Sequence, residues 1–241
     1  MSKNLKLLLG IFYLTILFTF LYFLFIYLDL HRLNDFTYYK ELQFNIDKII
    51  GNNFYLNIIL FFIFAFIWVS LLGFGTPILL MSGMLFGKWF GTIISVLSIS
   101  LGALFLYSIA TYFFADSIKN LLNKKFSKYI KFFKKNEFMY FFAFRLTGGF
   151  SIPFGLQNIL PIIFNINKKN YFLGSLFGFV PIFFIWNTIG SGISKYIKVS
   201  EEFSLINLIL NKEIYIPIIL FIFFLSLSFM IRKKVFDNDR N

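Results

Sequence analysis

Gly73-Phe74-Gly75-Thr76-Pro77 interrupts a run of 39 uncharged residues that extends from Ile49 to Gly87. A transmembrane helix needs about 20 residues, so this run is too long for one crossing and too short for two crossings with a turn. Glycine is flexible and proline has no N–H, and the cluster therefore predicts a helix break. A re-entrant hairpin over residues 49–87 fits these lengths, provided that protein or a wet cavity covers its tip.

A second apolar stretch, from Phe138 to Asn167, is interrupted twice, at Gly148-Gly149 and at Pro153-Phe154-Gly155. Its predicted hairpin covers residues 138–164. Each hairpin follows an amphipathic stretch and precedes a full span, so the two halves of the chain have the same order of elements. Paired broken segments in corresponding positions indicate an inverted repeat. We therefore predict an all-α, polytopic membrane protein with two opposed re-entrant helical hairpins.

Three regions of the chain follow from this pattern. We predict that residues 1–31 form an N-terminal transmembrane anchor, because an apolar run of spanning length is followed by no cleavage site. Residues 32–195 form the core, and residues 196–241 contain a loop, a last transmembrane helix and a basic tail. Besides the hairpins, the core contains three predicted helices, which are spans at 89–115 and 170–194 and a basic amphipathic helix at 116–137.

The distribution of basic residues tests this topology. Seven lysines fall in the basic amphipathic helix, whose apolar residues recur at helical spacing, as in a helix lying on a membrane surface. Two re-entrant hairpins put this helix on the same side as the basic termini, whereas one crossing by each broken segment puts it outside. The positive-inside rule therefore favours hairpins over six or more ordinary spans. Four lysines are candidate contacts to the membrane surface: Lys124, Lys128, Lys131 and Lys135.

The composition argues against a soluble protein. Of the 241 residues, 59% are hydrophobic and 14% are charged, which is more apolar surface than one core of this size can bury. The formal net charge is +12, and because the basic residues lie at the ends of apolar segments, we expect anionic lipid headgroups and not nucleic acid as partners. The chain has no cysteine, and we expect neither a metal nor a cofactor. Known enzyme motifs are missing, which argues against an enzyme.

Arg145 is the first candidate for substrate contact. It is the only charge within the broken segments apart from Lys88 at the exit of the first, and an arginine inside a membrane costs at least a few kcal/mol. Two roles are open. Its guanidinium could bind a phosphate in a bidentate manner, or it could be structural, by pinning the hairpin tip through carbonyl groups freed near Gly148 and Gly149 or by snorkelling to the surface.

Three amides and a set of shape-determining residues complete the candidates. Gln157 and Asn158 follow the second break, and the opposite hairpin tip is the obvious source of partners; the alternative is hydrogen bonding between helices. Asn187, late in a span, satisfies a neighbour or lines a cavity. Glycines and prolines at the breaks and packing positions are expected to shape the hairpins: Gly73, Gly75, Pro77, Gly83, Gly87, Gly148, Gly149 and Pro153.

Residues from about 50 to 195 resemble the DedA/VTT superfamily. In the first hairpin, Gly75-Thr76-Pro77, Gly83-Met84-Leu85-Phe86-Gly87 and Gly91 are similar to its Gly-x-Pro, small-x-x-Phe-Gly and Gly pattern. The second hairpin and the following span match its Phe-x-x-Arg, Pro-Phe, Asn and Gly-x-x-Pro pattern at Phe144-Arg145-Leu146, Pro153, Asn158, Tyr171, Gly178 and Pro181. The chain resembles the SNARE-associated Golgi protein type, and the expected location is the bacterial inner membrane.

The resemblance implies two opposed re-entrant hairpins and lipid translocation, because members are linked to scrambling of phospholipids or flipping of polyprenyl-phosphate carriers. Members of the DedA branch proper carry acidic residues near the first hairpin. This chain has none there, which favours uncoupled scrambling or coupling through another group. A membrane lipid transporter or scramblase is therefore the leading hypothesis. The alternatives are a small-solute or ion transporter and a non-transporting scaffold, and a homo-oligomer is compatible with all three.

Overall fold

The computed structural model describes residues 35–237 together with Thr15, Phe18, Thr19, Tyr22 and Arg32; at 117, 121–129, 131–132, 134–135, 150–151 and 227–237 it describes the backbone alone. The predicted anchor at 1–31 falls, apart from four residues, outside the described part of the chain. The described residues contain helices and no strand, which confirms the all-α prediction.

The described helices occur in the following order: α1 (Phe36–Asn52), α2 (Phe54–Ser70), α3 (Gly75–Lys135), α4 (Glu137–Leu146), α5 (Phe154–Ile159), α6 (Lys168–Val199), α7 (Leu205–Leu210) and α8 (Lys212–Asp237). Two 3-10 helices, Gly148–Ser151 and Leu160–Phe164, flank α5. Among the described residues, two helices are long and apolar enough to cross a membrane, Gly75–Asp116 within α3 and the whole of α6. The pair α1 and α2, bent by 109°, would be a third if it formed one span.

Helix α2 and the start of α3 form a helical hairpin. The turn between them is stabilised by the indole Nε1 of Trp68, which donates to the carbonyl oxygen of Phe74 over 2.9 Å. The chain then reverses, because the ring of Phe86 lies 5.4 Å from that of Phe61 in α2. The first limb begins at Phe54 and not at Ile49, since α1 continues to Asn52 before the bend.

A second reversal follows at Gly87, whose φ of 74° interrupts α3. Beyond it, the ring of Phe90 lies 5.8 Å from Phe54, and that of Phe105 lies 5.6 Å from Phe66. From the first contact to the second, the residue numbers rise in both helices, so the long part of α3 runs parallel to α2. Glycine supplies the left-handed backbone that this sharp reversal requires.

The second hairpin consists of α4, a turn, and a return limb made of α5 and the 3-10 helix Leu160–Phe164. Gly148 and Gly149, with φ of 66° and 68°, form the turn. The return limb ends beside the start of α4, because the Glu137 carboxylate accepts from the amide nitrogen of Asn167 and from Nδ2 of Asn170 over 3.1 and 3.0 Å. The chain therefore enters and leaves this hairpin at one end.

The tips of the two hairpins touch. A Cβ added to Gly75 would lie 3.5 Å from the Phe154 ring, and one added to Gly155 would lie 3.4 Å from Leu72. The base of the second hairpin adjoins the start of α6, whereas the first hairpin packs near Gly190, towards the other end of α6. Along the return limb of the first hairpin, Leu80 lies against Gly190 and Gly83 against Asn187, and the ring of Trp89, just past this limb, lies 4.9 Å from that of Phe184, so the limb runs antiparallel to α6. The re-entry of the hairpins into a membrane and the inverted repeat stay predictions.

The lysine-rich end of α3 returns to the protein. Near the middle of α3, the Tyr107 hydroxyl donates to the carbonyl of Ile166 over 2.7 Å, and at its end Phe133 stacks on Phe164 with ring centroids 4.0 Å apart. A straight helix would separate Tyr107 from Phe133 by about 39 Å, so the helix bends between them. The side chains of Lys124, Lys128, Lys131 and Lys135 lie outside the described part of the structure.

Candidate functional site

Arg145, in the last turn of α4, is fully enclosed, with 1% of its surface exposed. Two hydroxyl groups of α6 hold its guanidinium. Nη2 donates to the Tyr171 hydroxyl over 2.7 Å, and Nε donates to Oγ of Ser175 over 3.2 Å. The Tyr171 hydroxyl in turn donates to the carbonyl of Asn158 on the return limb over 3.1 Å. One hydrogen-bonded chain therefore links both limbs of the second hairpin to α6.

Three aromatic rings surround the same guanidinium. Its carbon lies 4.7 Å from the ring centroid of Phe179, 4.9 Å from Phe141 and 5.3 Å from Tyr171. Ring faces attract a cation, and this attraction grows as water is removed. Tyr171 is itself held by stacking on Tyr107, with centroids 4.3 Å apart. The rings therefore offset part of the cost of burying the charge and fix the position of Arg145.

The guanidinium keeps one buried nitrogen without a hydrogen-bond partner, Nη1. Within the described residues, ion pairs involve Arg32, Lys195 and Lys198, and no carboxylate pairs with Arg145. A buried charge of this kind is costly unless it is paired. An anion bound at Nη1 would supply both the missing acceptor and the missing negative charge.

Arg145 borders a cavity of about 300 Å³. Both hairpin tips, α6 and α8 line this cavity, which is partly open and which we call the tip cavity. Its lining is mainly apolar, and Arg145 is the one charged residue that borders it in the described part of the protein. The residues that line it include Gly75, Thr76, Gly148, Phe154, Gln157, Phe179, Trp186 and Phe221.

Of the predicted amides, only Gln157 borders the tip cavity. Its Nε2 donates to the carbonyls of Gly148 and Ile152 over 3.0 and 2.5 Å. The expectation that it pairs with the opposite tip is therefore wrong. The carbonyls freed at the turn bind this amide. Arg145, for which binding these carbonyls was one of the open roles, instead binds hydroxyl groups of α6. A Cβ on Gly149 would meet the Gln157 side chain at 2.2 Å, so glycine is required there.

Asn158 and Asn187 are buried but occupy different places. Both polar atoms of the Asn158 side chain are without a hydrogen-bond partner, and its carbonyl belongs to the chain that holds Arg145. Asn187 lies two to three turns beyond Phe179 on α6, away from the tip cavity. Its Nδ2 donates to Oγ of Ser95 over 3.3 Å. Asn187 therefore joins α6 to α3, which is the alternative role that the sequence left open.

Gly83 and Gly178 allow close helix contacts near these groups. A Cβ on Gly83 would lie 2.1 Å from the carbonyl oxygen of Asn187, and one on Gly178 would lie 2.5 Å from Cβ of Arg145. Small residues allow helices in membranes to pack this closely. The remaining shape-determining residues lie at the turns: Gly73 packs against Trp68, and Pro77 falls in the first turn of α3, where its missing N–H costs little.

Sequence reasoning missed Tyr171 and Ser175 as site residues. They lie 26 and 30 positions after Arg145, so only the folded hairpin brings them to it. One signal was available. The two residues are four apart in a predicted span, and such residues share a helix face. A polar face on an otherwise apolar span indicates a partner inside the protein.

The long apolar helices and the buried arginine define this chain as a multi-pass helical membrane protein. The VTT domain family matches residues 72–192, half of the chain. The chain belongs to this family, which is the domain family of DedA and SNARE-associated Golgi proteins and contains membrane proteins of a transporter-like type. A search of curated proteins and a search of solved structures each return no significant match.

Proposed function

We propose that this protein moves a lipid with a phosphate headgroup between the leaflets of a bacterial inner membrane, and that Arg145 binds the phosphate. The observation that carries the proposal is a buried guanidinium with a free Nη1, no carboxylate partner among the described residues, and a position on the wall of the tip cavity. A phosphate oxygen is the acceptor that fits a guanidinium best. The acyl chains stay in the surrounding bilayer.

The lengths of the hairpin limbs support re-entry, and in this proposal the two hairpins enter from opposite faces. The return limb of the first hairpin, residues 75–86, is about 18 Å long, and α4 is about 15 Å long. Neither limb can cross a hydrocarbon layer of about 30 Å. Because the limbs reverse and their tips touch, each hairpin in this proposal enters from one face and returns to it. The lysine-rich part of α3 contacts anionic headgroups on the inner surface.

The proposed movement is scrambling without proton coupling. The described residues that line the tip cavity include no carboxylate, so this site offers no group that exchanges a proton near neutral pH. A headgroup then moves in either direction down its gradient. Gln157, the one amide at the cavity, offers further contact to the headgroup.

A small phosphate-containing solute is the second candidate, because a cavity of about 300 Å³ also fits such a molecule. Both a lipid headgroup and a small solute would bind Arg145 through a phosphate, so lipid movement and solute uptake have to be measured separately. Proteoliposomes report lipid movement through a fluorescent phospholipid that an added reductant bleaches in the outer leaflet only. Uptake of radiolabelled glycerol phosphate into the same vesicles reports transport of the soluble molecule.

Arg145→Gln tests the role of the guanidinium. It removes the charge and keeps a polar group for Tyr171. Arg32→Gln, at a partly exposed arginine that pairs with Asp35 and Glu41, is the control. We expect lipid movement to fall at least about tenfold in Arg145→Gln, the scale of one lost charged hydrogen bond, and to be unchanged in the control. A folded Arg145→Gln protein that scrambles at the full rate would contradict the proposal. Solute uptake without lipid movement would favour the second candidate.

A further inference from the structure

We infer that α8, through Phe221 and Leu225, sets the largest headgroup that the tip cavity accepts; this inference rests on the proposed function. The region matched by the family, residues 72–192, supplies the hairpin tips and most of α6. Helix α8 begins at Lys212, beyond that region. Yet Phe221 and Leu225 border the tip cavity together with Arg145. A wall from outside the matched region therefore completes the site.

The position of α8 is fixed by its first turn. A Cβ on Gly192 would lie 2.9 Å from the carbonyl oxygen of Glu213, so only glycine allows the two helices to come this close. The Glu213 carboxylate also pairs with Nζ of Lys195 over 2.6 Å. Pro217 lacks the N–H that would bind the Glu213 carbonyl within the helix. That carbonyl is therefore free to face α6.

Two turns further along, Phe221 meets the side chain of Trp186. Their rings lie 5.4 Å apart at 63°, an edge-to-face arrangement. Since Glu213 lies beside Gly192 and Phe221 lies beside Trp186, α8 runs antiparallel to α6. This contact holds the phenyl ring on the wall of the tip cavity, which Phe221 shares with Arg145. A headgroup bound at Arg145 would therefore share the cavity with this ring.

The volume indicates which headgroups fit. About 300 Å³ corresponds to roughly ten water molecules in the liquid. A phosphate that carries ethanolamine or glycerol fits in this space. The same phosphoethanolamine with a bulky two-ring dye on its amine takes up much more of this volume, so the phenyl ring of Phe221 would limit its entry. The substitution Phe221→Ala removes the phenyl ring and should enlarge the cavity enough to admit the dye.

The experiment compares one lipid labelled at two positions. Phosphatidylethanolamine carries nitrobenzoxadiazole either on an acyl chain or on the headgroup amine, and scrambling is measured in proteoliposomes. The variant is Phe221→Ala, and the matched control is Phe223→Ala, on the same helix with 60% of its surface exposed. We expect wild type and Phe223→Ala to move the acyl-labelled lipid at least about tenfold faster than the headgroup-labelled one, a range typical of pocket size limits. Phe221→Ala and Leu225→Ala should reduce this ratio several-fold.

A second measurement does not depend on transport. Phosphoethanolamine and its nitrobenzoxadiazole derivative are added to the detergent-solubilised protein, and the melting temperature is recorded. We expect the derivative to stabilise Phe221→Ala but not the wild type. A labelling ratio that is equal in wild type and Phe221→Ala, or equal stabilisation of both proteins by the derivative, would overturn the inference. Lipid movement that is absent or independent of Arg145 would instead overturn the proposed function, and the melting measurement would then decide the size limit alone.

Discussion

Removing one oxygen atom tests how Arg145 is positioned. Tyr171→Phe keeps the aromatic ring and its stacking on Tyr107 but deletes the hydroxyl that accepts from Nη2 of Arg145 and donates to the Asn158 carbonyl. The first is a hydrogen bond from a charged donor, and the second is neutral. Together their loss should lower the free energy of unfolding by about 3 kcal/mol. Tyr107→Phe, in the same stack, loses a neutral bond to Ile166 and should cost about 1 kcal/mol.

Thermal unfolding in detergent measures this difference. A loss of 1 kcal/mol lowers the melting temperature of a chain of this size by about 2–4 °C. We therefore expect a fall of about 6–12 °C for Tyr171→Phe and about 2–4 °C for Tyr107→Phe. Scrambling should fall several-fold in Tyr171→Phe alone, because the guanidinium then has two nitrogens without partners and loses its fixed position. Equal effects of the two substitutions on both stability and scrambling would refute this account of Arg145.

Two further predictions concern the hairpins. Gly83→Ala should destabilise the protein by about 2 kcal/mol, because the new methyl group overpacks against the backbone of α6. Gly51→Ala, where an added Cβ meets nothing within 4 Å, should instead be neutral or stabilising by up to about 1 kcal/mol; comparable melting temperatures for the two variants would argue against the close crossing. For topology, tags at positions 30, 125 and 240 should be accessible from the outside, the inside and the inside. Signals from the same side at 30 and 125 would exclude a re-entrant first hairpin, and signals from opposite sides at 125 and 240 would exclude a re-entrant second hairpin.

The turns of the fold could be predicted because backbone chemistry is local. Gly148 and Gly149 adopt positive φ, which costs other residues more. The break near Gly75 was placed correctly to within a few residues, although the turn itself is at 71–74, where Leu72 takes the positive φ of 66°. Leucine does not favour a positive φ, so the sequence did not indicate that Leu72 lies in the turn. The exact turn residues are determined by tertiary packing.

The partners of the site residues could not be predicted, because they depend on how helices far apart in sequence come together. Asn187 was a candidate for substrate contact, with a neighbouring partner as the alternative, and it donates to Ser95, which lies 92 positions earlier. The contact of α8 with the tip cavity could not be predicted for the same reason, because it too depends on helices that are far apart in sequence. Phe221 lies in an apolar helix with no polar residue nearby to single it out from its neighbours. Its contact with Trp186 distinguishes it from the exposed Phe223.

The lengths of the two hairpins determine where the charge of Arg145 lies. If the hairpins enter from opposite faces, limbs of about 18 and 15 Å together match a hydrocarbon layer of about 30 Å. Their tips then meet near the middle, which agrees with the contact between Gly75 and Phe154. That depth is where a lone phosphate is most costly, so a cation there lowers the barrier at its highest point. Arg145 lies only three residues before the turn at Gly148. In that arrangement, the short limbs of the hairpins would carry a charge to a depth that no surface residue could reach.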